Sequence, residues 1–537
     1  MGALNSRQQS ASPSHTNNNN TIRDSVRESI QSDNHEPHND DNIFDRNRHN
    51  HSQADTVDTA STEDWDKVVE RFKSQVLDES YIVYPIRGST IEAADQYPTS
   101  AQNLSLDREY LMPGTHKHLG GAYDPTDGCI YGVPANSRSV MCIYPTTTTG
   151  NSNKEEEYLL KNIPLPKEIQ DVRMKWLRGI FAHGYLWAIP SWAPKVLCVD
   201  VDAYWGRREA SVNGIVQLLD LPAEHPRDQI WQWHGAGLNH EATAIYCIPS
   251  NAYKVLKVDL TTKTTSLIDV EINKEKYPDL DLNTTTNKWY GGIVGADNAV
   301  YGIPYRAGAV LRIDCKTDTA KVVGPNYGCG LYNWHGGVCV NGKIYAHPSH
   351  AETVLQIDTN AIDGGTNEPA ISELTIHRAS YDTDDRKNYK WLGGSVGVDG
   401  KTIFCPACDT SAVLHIDTET DHCRTFGFAG KMKNKWQGGV LSKTRDGCIY
   451  CIPASGTQIL RIPTHPDTGA PNNEVVQLIG DLPVHKDKWQ GGYEGKDGCL
   501  YFVPENGYRV LKVTPPAKPP KIVNGKLPDN DVEIEFM

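Results

Sequence analysis

Six lysines stand immediately before an aromatic or imidazole residue: Lys117, Lys175, Lys288, Lys390, Lys435 and Lys488 precede His118, Trp176, Trp289, Trp391, Trp436 and Trp489. A cation beside an indole can hold an acidic or phosphorylated group by charge and stack on a sugar or peptide side chain. The competing reading makes the indole a packing wedge and the ammonium a solvated charge, since every repeat needs the same packing but a ligand needs few contacts. The residue after each anchor varies: Leu119, Leu177, His234, Tyr290, His335, Leu392, Gln437 and Gln490. Variation at a fixed repeat position breaks the symmetry, so specificity is expected there. His234, Tyr290 and His335 fall in consecutive repeats and form the expected specific site, with Gln437 and Gln490 on the same surface.

Other candidates for chemistry are weaker. Cys405-Pro406-Ala407-Cys408 lacks the second cysteine pair that zinc usually takes, and it does not open a helix as a redox pair would. Asp279, Asp281 and Asn283 begin like a calcium loop, but Thr284 and Tyr290 occupy the glycine and glutamate positions. No metal site is expected, because His234 and His335 have no evident third ligand. No phosphate loop, dinucleotide fingerprint or nucleophile elbow is present, so neither a cofactor nor a catalytic set is expected.

The elements that must position these residues come from a repeat. Its anchors are His118, Trp176, Trp233, Trp289, Trp334, Trp391, Trp436 and Trp489, at intervals of 45 to 58 residues. A Gly-Gly pair follows most anchors; Arg178-Gly179 and Gly235-Ala236 keep only part of it. Next comes an Ile-Tyr-x-Ile-Pro landmark, as at Tyr301–Pro304 and Tyr450–Pro453, and then Val-Leu-x-Ile-Asp, as at Val255–Asp259 and Val413–Asp417. A weaker fourth segment follows, such as Lys321–Val323. Short runs of β-branched and aromatic residues bounded by Gly, Pro and Asp read as strands joined by tight turns. Four strands in about 50 residues, repeated, predict an all-β fold, a β-propeller of eight blades, or seven if the first unit is a cap. Glycine pairs suit innermost strands, where backbones crowd the axis.

The propeller is expected over residues 111–530. Residues 1–60 are a polar tract with Asn17 to Asn20 and are expected to be disordered. Between them, residues 61–110 carry a helix over 62–78 and a strand at Tyr81–Pro85, which pack on or close the ring, or dock a partner. Gly2 with Ser6 fits the myristoylation pattern, and one acyl chain would give weak, reversible membrane association.

A net charge of −14 disfavours nucleic acid as a partner. No apolar run is long enough to span a membrane, and the amino terminus lacks a secretory core. Of the 13 cysteines, several recur at one strand position, such as Cys129, Cys448 and Cys499, where side chains project in parallel. Free thiols and a cytoplasmic setting are expected.

The repeat resembles the kelch-type β-propellers in its glycine pair, period and aromatic landmarks, although here Trp precedes Gly-Gly rather than following it. It also looks like the Trp-x-Gly-Gly repeat proteins of diatoms and other protists, which have no assigned activity. Eight-bladed quinoprotein dehydrogenases use repeated Trp docking too, but their adjacent cysteine pair is absent. The resemblance implies the fold for residues 116–525 and no activity. The expected function is a non-catalytic binding or scaffold propeller with a protein partner or acidic ligand. The alternative is a hydrolase or lyase working at the channel mouth.

Overall fold

The computed structural model describes residues 114–145, 158–366, 368–382, 389–464, 475–522, 526–528 and 531–537. The polar tail, the helix over 62–78, the strand at Tyr81–Pro85 and Gly2 lie outside the described residues.

Among the described residues the chain is nearly all β, with two short helices, Lys167–Gln170 and Val201–Tyr204. Among the described residues, consecutive strands assemble into eight four-stranded antiparallel units, each made from one contiguous stretch of chain. Unit 4 is representative: Trp289–Val294, Ala299–Pro304, Val310–Asp314 and Thr319–Val323 pair in that order. The anchor Trp faces the Pro that ends the second strand, as in Trp289 opposite Pro304 and Trp436 opposite Pro453. The Asp that ends the third strand turns the chain. Asp259 Oδ1 accepts from the backbone N–H of Thr261 at 3.0 Å and of Thr262 at 2.8 Å, a side-chain substitute for a backbone turn bond. Units 5 and 6 also join at their rims, where Pro369–His377 runs parallel to His422–Phe428. The last unit ends in Glu533–Phe536, so the propeller extends past the boundary at 530 expected from the repeat.

The units close a ring through one recurring link. The N–H of the residue before each anchor donates to a carbonyl just past the second strand of the preceding unit. Lys175 bonds Ala135 at 3.0 Å, Gln232 bonds Ser191 at 2.9 Å, Lys288 bonds Ser250 at 3.1 Å and Asn333 bonds Tyr305 at 2.9 Å. Lys390 bonds Ser349 at 3.0 Å, Lys435 bonds Cys408 at 3.2 Å and Lys488 bonds Ala454 at 2.9 Å. The eighth link, Lys117 to Glu505 at 3.0 Å, joins unit 1 to unit 8.

The core is correspondingly divided into clusters between neighbouring units. Trp233 packs with Trp187, Ile189 and Val196 of unit 2 and with Ile245 and Leu256 of its own unit. Trp334 does the same between units 4 and 5, and Trp436 between units 6 and 7. At the seam between units 8 and 1 the cluster is Ile130, Met141, Ile143, Tyr501, Val503, Val510 and Met537, and the anchor is the smaller His118.

The position two residues after each anchor forms a collar around the axis. Its occupants are Gly120, Arg178, Gly235, Gly291, Gly336, Gly393, Gly438 and Gly491. All eight have left-handed backbones, with φ from 65° at Arg178 to 122° at Gly393. The first strand bulges at this point in most units, for example between Trp334 and Gly337, which fits a left-handed glycine. Neighbours touch around the axis: a Cβ on Gly491 would sit 3.1 Å from Gly120 Cα, and one on Gly393 3.0 Å from Gly438 Cα. On Gly235 a Cβ would meet the Gly291 carbonyl oxygen at 1.8 Å, so a side chain is excluded there.

Candidate ligand-binding face

The lysines do not form a solvent-facing ring of cations. Lys117, Lys175, Lys288, Lys390, Lys435 and Lys488 are all buried, none more than 4% exposed. Their ammonium groups serve as hydrogen-bond donors to backbone carbonyls. Lys435 Nζ donates to Cys408 O at 2.9 Å, Thr410 O at 2.9 Å and Met432 O at 2.7 Å. Lys488 Nζ donates to Ala454 O at 3.0 Å, Gly456 O at 2.8 Å and His485 O at 3.2 Å. Lys390 Nζ bonds His350 O at 2.9 Å and Glu352 at 3.1 Å; Lys288 Nζ bonds Thr285 O at 3.1 Å; Lys175 Nζ bonds Val172 O at 3.0 Å; Lys117 Nζ bonds Gly114 O at 2.9 Å. Unit 3 has Gln232 in this position. Its amide donates to Ser191 O and Ala193 O, both at 3.1 Å. A neutral donor does the same work, so the position needs N–H groups rather than charge. Desolvation pulls Lys117, Lys288 and Lys488 down to about 7 and Lys175 to about 8.

The anchors Trp176, Trp233, Trp289, Trp334, Trp391, Trp436 and Trp489 are buried. Every Nε1 donates to the carbonyl at the start of the third strand of its own unit: Trp289 to Ala309 at 2.7 Å, Trp334 to Thr353 at 2.7 Å, and Trp489 to Arg509 at 2.9 Å. The other four do so at 2.8 to 3.0 Å.

His234, Tyr290 and His335 come together. The His234 ring lies 3.6 Å from Tyr290 and nearly parallel to it, at 7°. His335 stands edge-on to His234 at 5.9 Å and to Tyr290 at 5.1 Å. Burial, then Arg178 and His335, hold His234 well below the ordinary imidazole value. Burial, then Arg178 and His347, pull His335 down to about 3. Both rings are therefore neutral at physiological pH. Gln437 and Gln490 sit apart from this group. Gln437 donates to Asn434 Oδ1 at 2.9 Å, and Gln490 Oε1 meets no hydrogen-bond partner among the described residues.

The cluster continues into residues the repeat pattern does not single out. Tyr290 stacks on Tyr305 at 4.1 Å, Tyr305 meets Tyr332 at 4.8 Å, Tyr332 meets His350 at 5.3 Å, and His350 meets Tyr389 at 5.2 Å. Arg306 covers Tyr332 at 5.2 Å. Tyr305 and His350 come from loops between second and third strands; Tyr332 and Tyr389 sit two residues before an anchor. One face of units 3 to 6 thus carries a continuous aromatic arc. The same connections before anchors expose Ile230, Leu331, Met432 and Val484, at 36%, 59%, 50% and 45%. Phe428, ending the fourth strand of unit 6, is 53% exposed. A sequence signal existed for the arc, the aromatic residues flanking each anchor and each Pro, but those positions lie outside the repeat landmarks.

Arg178 was legible only as a defect in the glycine pair. It is the one collar residue with a side chain. That side chain reaches solvent, yet the surrounding protein lowers its pKa by desolvation. Protein on all sides with water between is the environment of a channel.

Cys405 and Cys408 are buried free thiols, as are most of the 13 cysteines, and none is in a disulfide. Among the described residues no group of three or more His, Cys, Asp or Glu is placed to hold a metal ion, and no helix is long and apolar enough to cross a membrane.

No family model matches this chain, and no curated protein sequence matches it. Among solved structures it is similar to a streptogramin B lyase at 14% identity, TM-score 0.41, covering 75% of this chain and 95% of that one. It is similar to virginiamycin B lyase from Staphylococcus aureus at 12% identity, TM-score 0.40, covering 74% and 94%. It is similar to Kuenenia stuttgartiensis hydrazine synthase at 12% identity, TM-score 0.39, covering 70% and 98%. Likeness at this level carries no functional argument; the propeller architecture stands on the chain's own strand order and ring contacts.

Proposed function

We propose that this protein is a non-catalytic binding propeller that engages a protein partner through the face bearing the aromatic arc. The observation that carries the reading is that Ile230, Leu331, Met432 and Val484 are exposed on the connections that lead into anchors, the connections that also carry the half-buried arc residues Tyr332 and Tyr389. Exposed apolar side chains gathered on one face, rimmed by rigid aromatic rings, favour burial against a partner. The rival reading, a hydrolase or lyase at the channel mouth, has less support. The charges that act most on His335 come from Arg178 and His347 rather than from a carboxylate, so an acid–base pair is not assembled on that imidazole. The kelch-like character of the repeat, reversible membrane attachment through Gly2 and a cytoplasmic setting belong to the same reading. Gly2 acylation is tested by the intact mass of the expressed protein against Gly2→Ala.

The test is retention of partners from native lysate by wild type and by Leu331→Asp/Met432→Asp/Val484→Asp, with Leu478→Asp on the rim as control. Loss of a specific partner by the folded triple variant alone supports the reading. A partner retained by the triple variant, or none retained by wild type, overturns it.

A further inference from the structure

The collar holds seven glycines and one arginine, and the arginine is in the conformation glycine favours. Arg178 has φ 65°. An L-residue with a long side chain is strained there, and strain of this kind persists only where the surrounding fold over-determines it. The equivalent glycines relieve that strain in the other units, so packing does not explain the arginine.

The guanidinium sits near the axis. It depresses the protonation of His234 in unit 3 and of His335 in unit 5, and it interacts with Tyr493 in unit 8. Its Cγ lies where a Cβ on Gly120 of unit 1 would meet it at 3.4 Å. Its place in the collar, its Cγ against Gly120 across the axis-lining strands and its solvent-reaching side chain put the guanidinium in the channel.

It is also uncompensated. The most buried arginines of this protein are paired: Arg312 with Asp297 at 2.8 Å and Arg461 with Asp446 at 2.8 Å; the half-buried Arg208 meets Asp200 at 2.7 Å. Among the described residues Arg178 makes no hydrogen bond or ion pair, and Tyr493 is its only titratable neighbour of a kind that favours the cation. A guanidinium walled by protein, open to water and without a carboxylate beside it keeps its donors available to an anion. The groups around it are neutral: imidazoles of His234 and His335, and the Tyr493 phenol, which burial pushes up to about 12. None repels an anion, and imidazole N–H and phenol O–H can donate to one.

We infer that the channel is a binding site for a small oxyanion, a carboxylate or phosphate group, held by the planar fork of Arg178 at the glycine collar. The fork matches either group bidentately. This goes beyond the partner face, because the collar lies in the channel rather than on the connections that expose Leu331, Met432 and Val484.

The test is thermal melting and calorimetric titration of the full chain in chloride-free buffer. The probes are inorganic phosphate and malonate, on wild type, Arg178→Gly and Arg178→Gln. The expected result is that at least one probe binds wild type and raises its Tm, and that both variants lose at least ten-fold in affinity. Without any anion, Arg178→Gly is expected to melt at the same temperature as wild type or higher, since glycine accepts the left-handed backbone. A merely structural arginine would give the opposite. A lower Tm for ligand-free Arg178→Gly overturns the inference, as does binding unchanged in both variants or no binding of either anion to wild type. A partner lost by the Leu331/Met432/Val484 variant with anion binding intact would separate the two sites.

Discussion

The carboxylate of Glu505 takes a hydrogen bond from Nδ1 of His116 at 2.8 Å, tying the last unit to the segment that opens the first. The backbone N–H of His116 donates to Asn506 Oδ1 at 2.7 Å beside it. Burial raises the Glu505 carboxyl to about 7, against the pull of His116. For His116, burial works downward, but the hydrogen bond and charge of Glu505 prevail and raise it. Both folded values lie above the unfolded ones. Their contribution to stability is therefore complete below about pH 4.5 for the carboxyl and 6.5 for the imidazole; it is lost as pH rises through about 7 for the carboxyl, and through its raised folded value for the imidazole. The urea midpoint of wild type is expected to fall between pH 5 and 8 relative to that of Glu505→Gln. Parallel curves for the two proteins would show that the pair does not couple ring closure to protons.

Lys435→Met and Lys488→Met strip three carbonyls each of a buried donor. Each is expected to cost about 1–3 kcal/mol in denaturant unfolding. Gln at either position is expected to cost less, because Gln232 already fills this role in unit 3. Equal losses for Met and Gln would return the weight to charge.

Trp289→Phe keeps an aromatic wedge between units 3 and 4 but removes the bond to Ala309 O. A loss of roughly 1–3 kcal/mol is expected, against roughly 3–5 kcal/mol for Trp289→Ala, which also opens a cavity. The spread between the two variants, read from equilibrium unfolding, separates packing from hydrogen bonding.

Thiol chemistry reports on the core. Burial pushes Cys315 up to about 12 and raises Cys329 and Cys339 as well, while Cys405, Cys408 and Cys451 rise well above the ordinary thiol value. In the native protein only the partly exposed Cys315, Cys329 and Cys339 are expected to react with an aromatic disulfide reagent, and slowly. All 13 are expected to react after denaturation. Fast reaction at Cys405 or Cys408 would contradict their burial.

The architecture was legible because each unit must solve the same steric problem. Trp fills the gap to its neighbour, glycine passes the axis, Asp turns the third strand, and each signal recurs with its geometry. The lysines misled because a charge in sequence says nothing about its acceptors: carbonyls supplied by another unit, as Cys408 and Thr410 supply Lys435, are invisible until the ring is closed. His234, Tyr290 and His335 were found because they vary at a position the repeat holds fixed. Arg178 varies at such a position too. It was passed over because an imperfect glycine pair reads as erosion of the repeat, and only the positive φ distinguishes a strained arginine from a drifted one.

Because all four strands of each unit are contiguous in the chain, nothing in one sheet waits for residues made hundreds of positions later. A ribosome can release the units one at a time, each able to complete its hairpins before the next emerges. The exception is the seam, where His116 meets Glu505 across 389 residues of sequence. Its closure bears the largest loop entropy in the protein and comes last. A chain stalled before Glu505 would expose the flank of unit 1, with Ile130, Met141 and Ile143, to any other nascent copy. The rate of that final docking, rather than the stability of any one sheet, then sets how much of the newly made protein escapes aggregation.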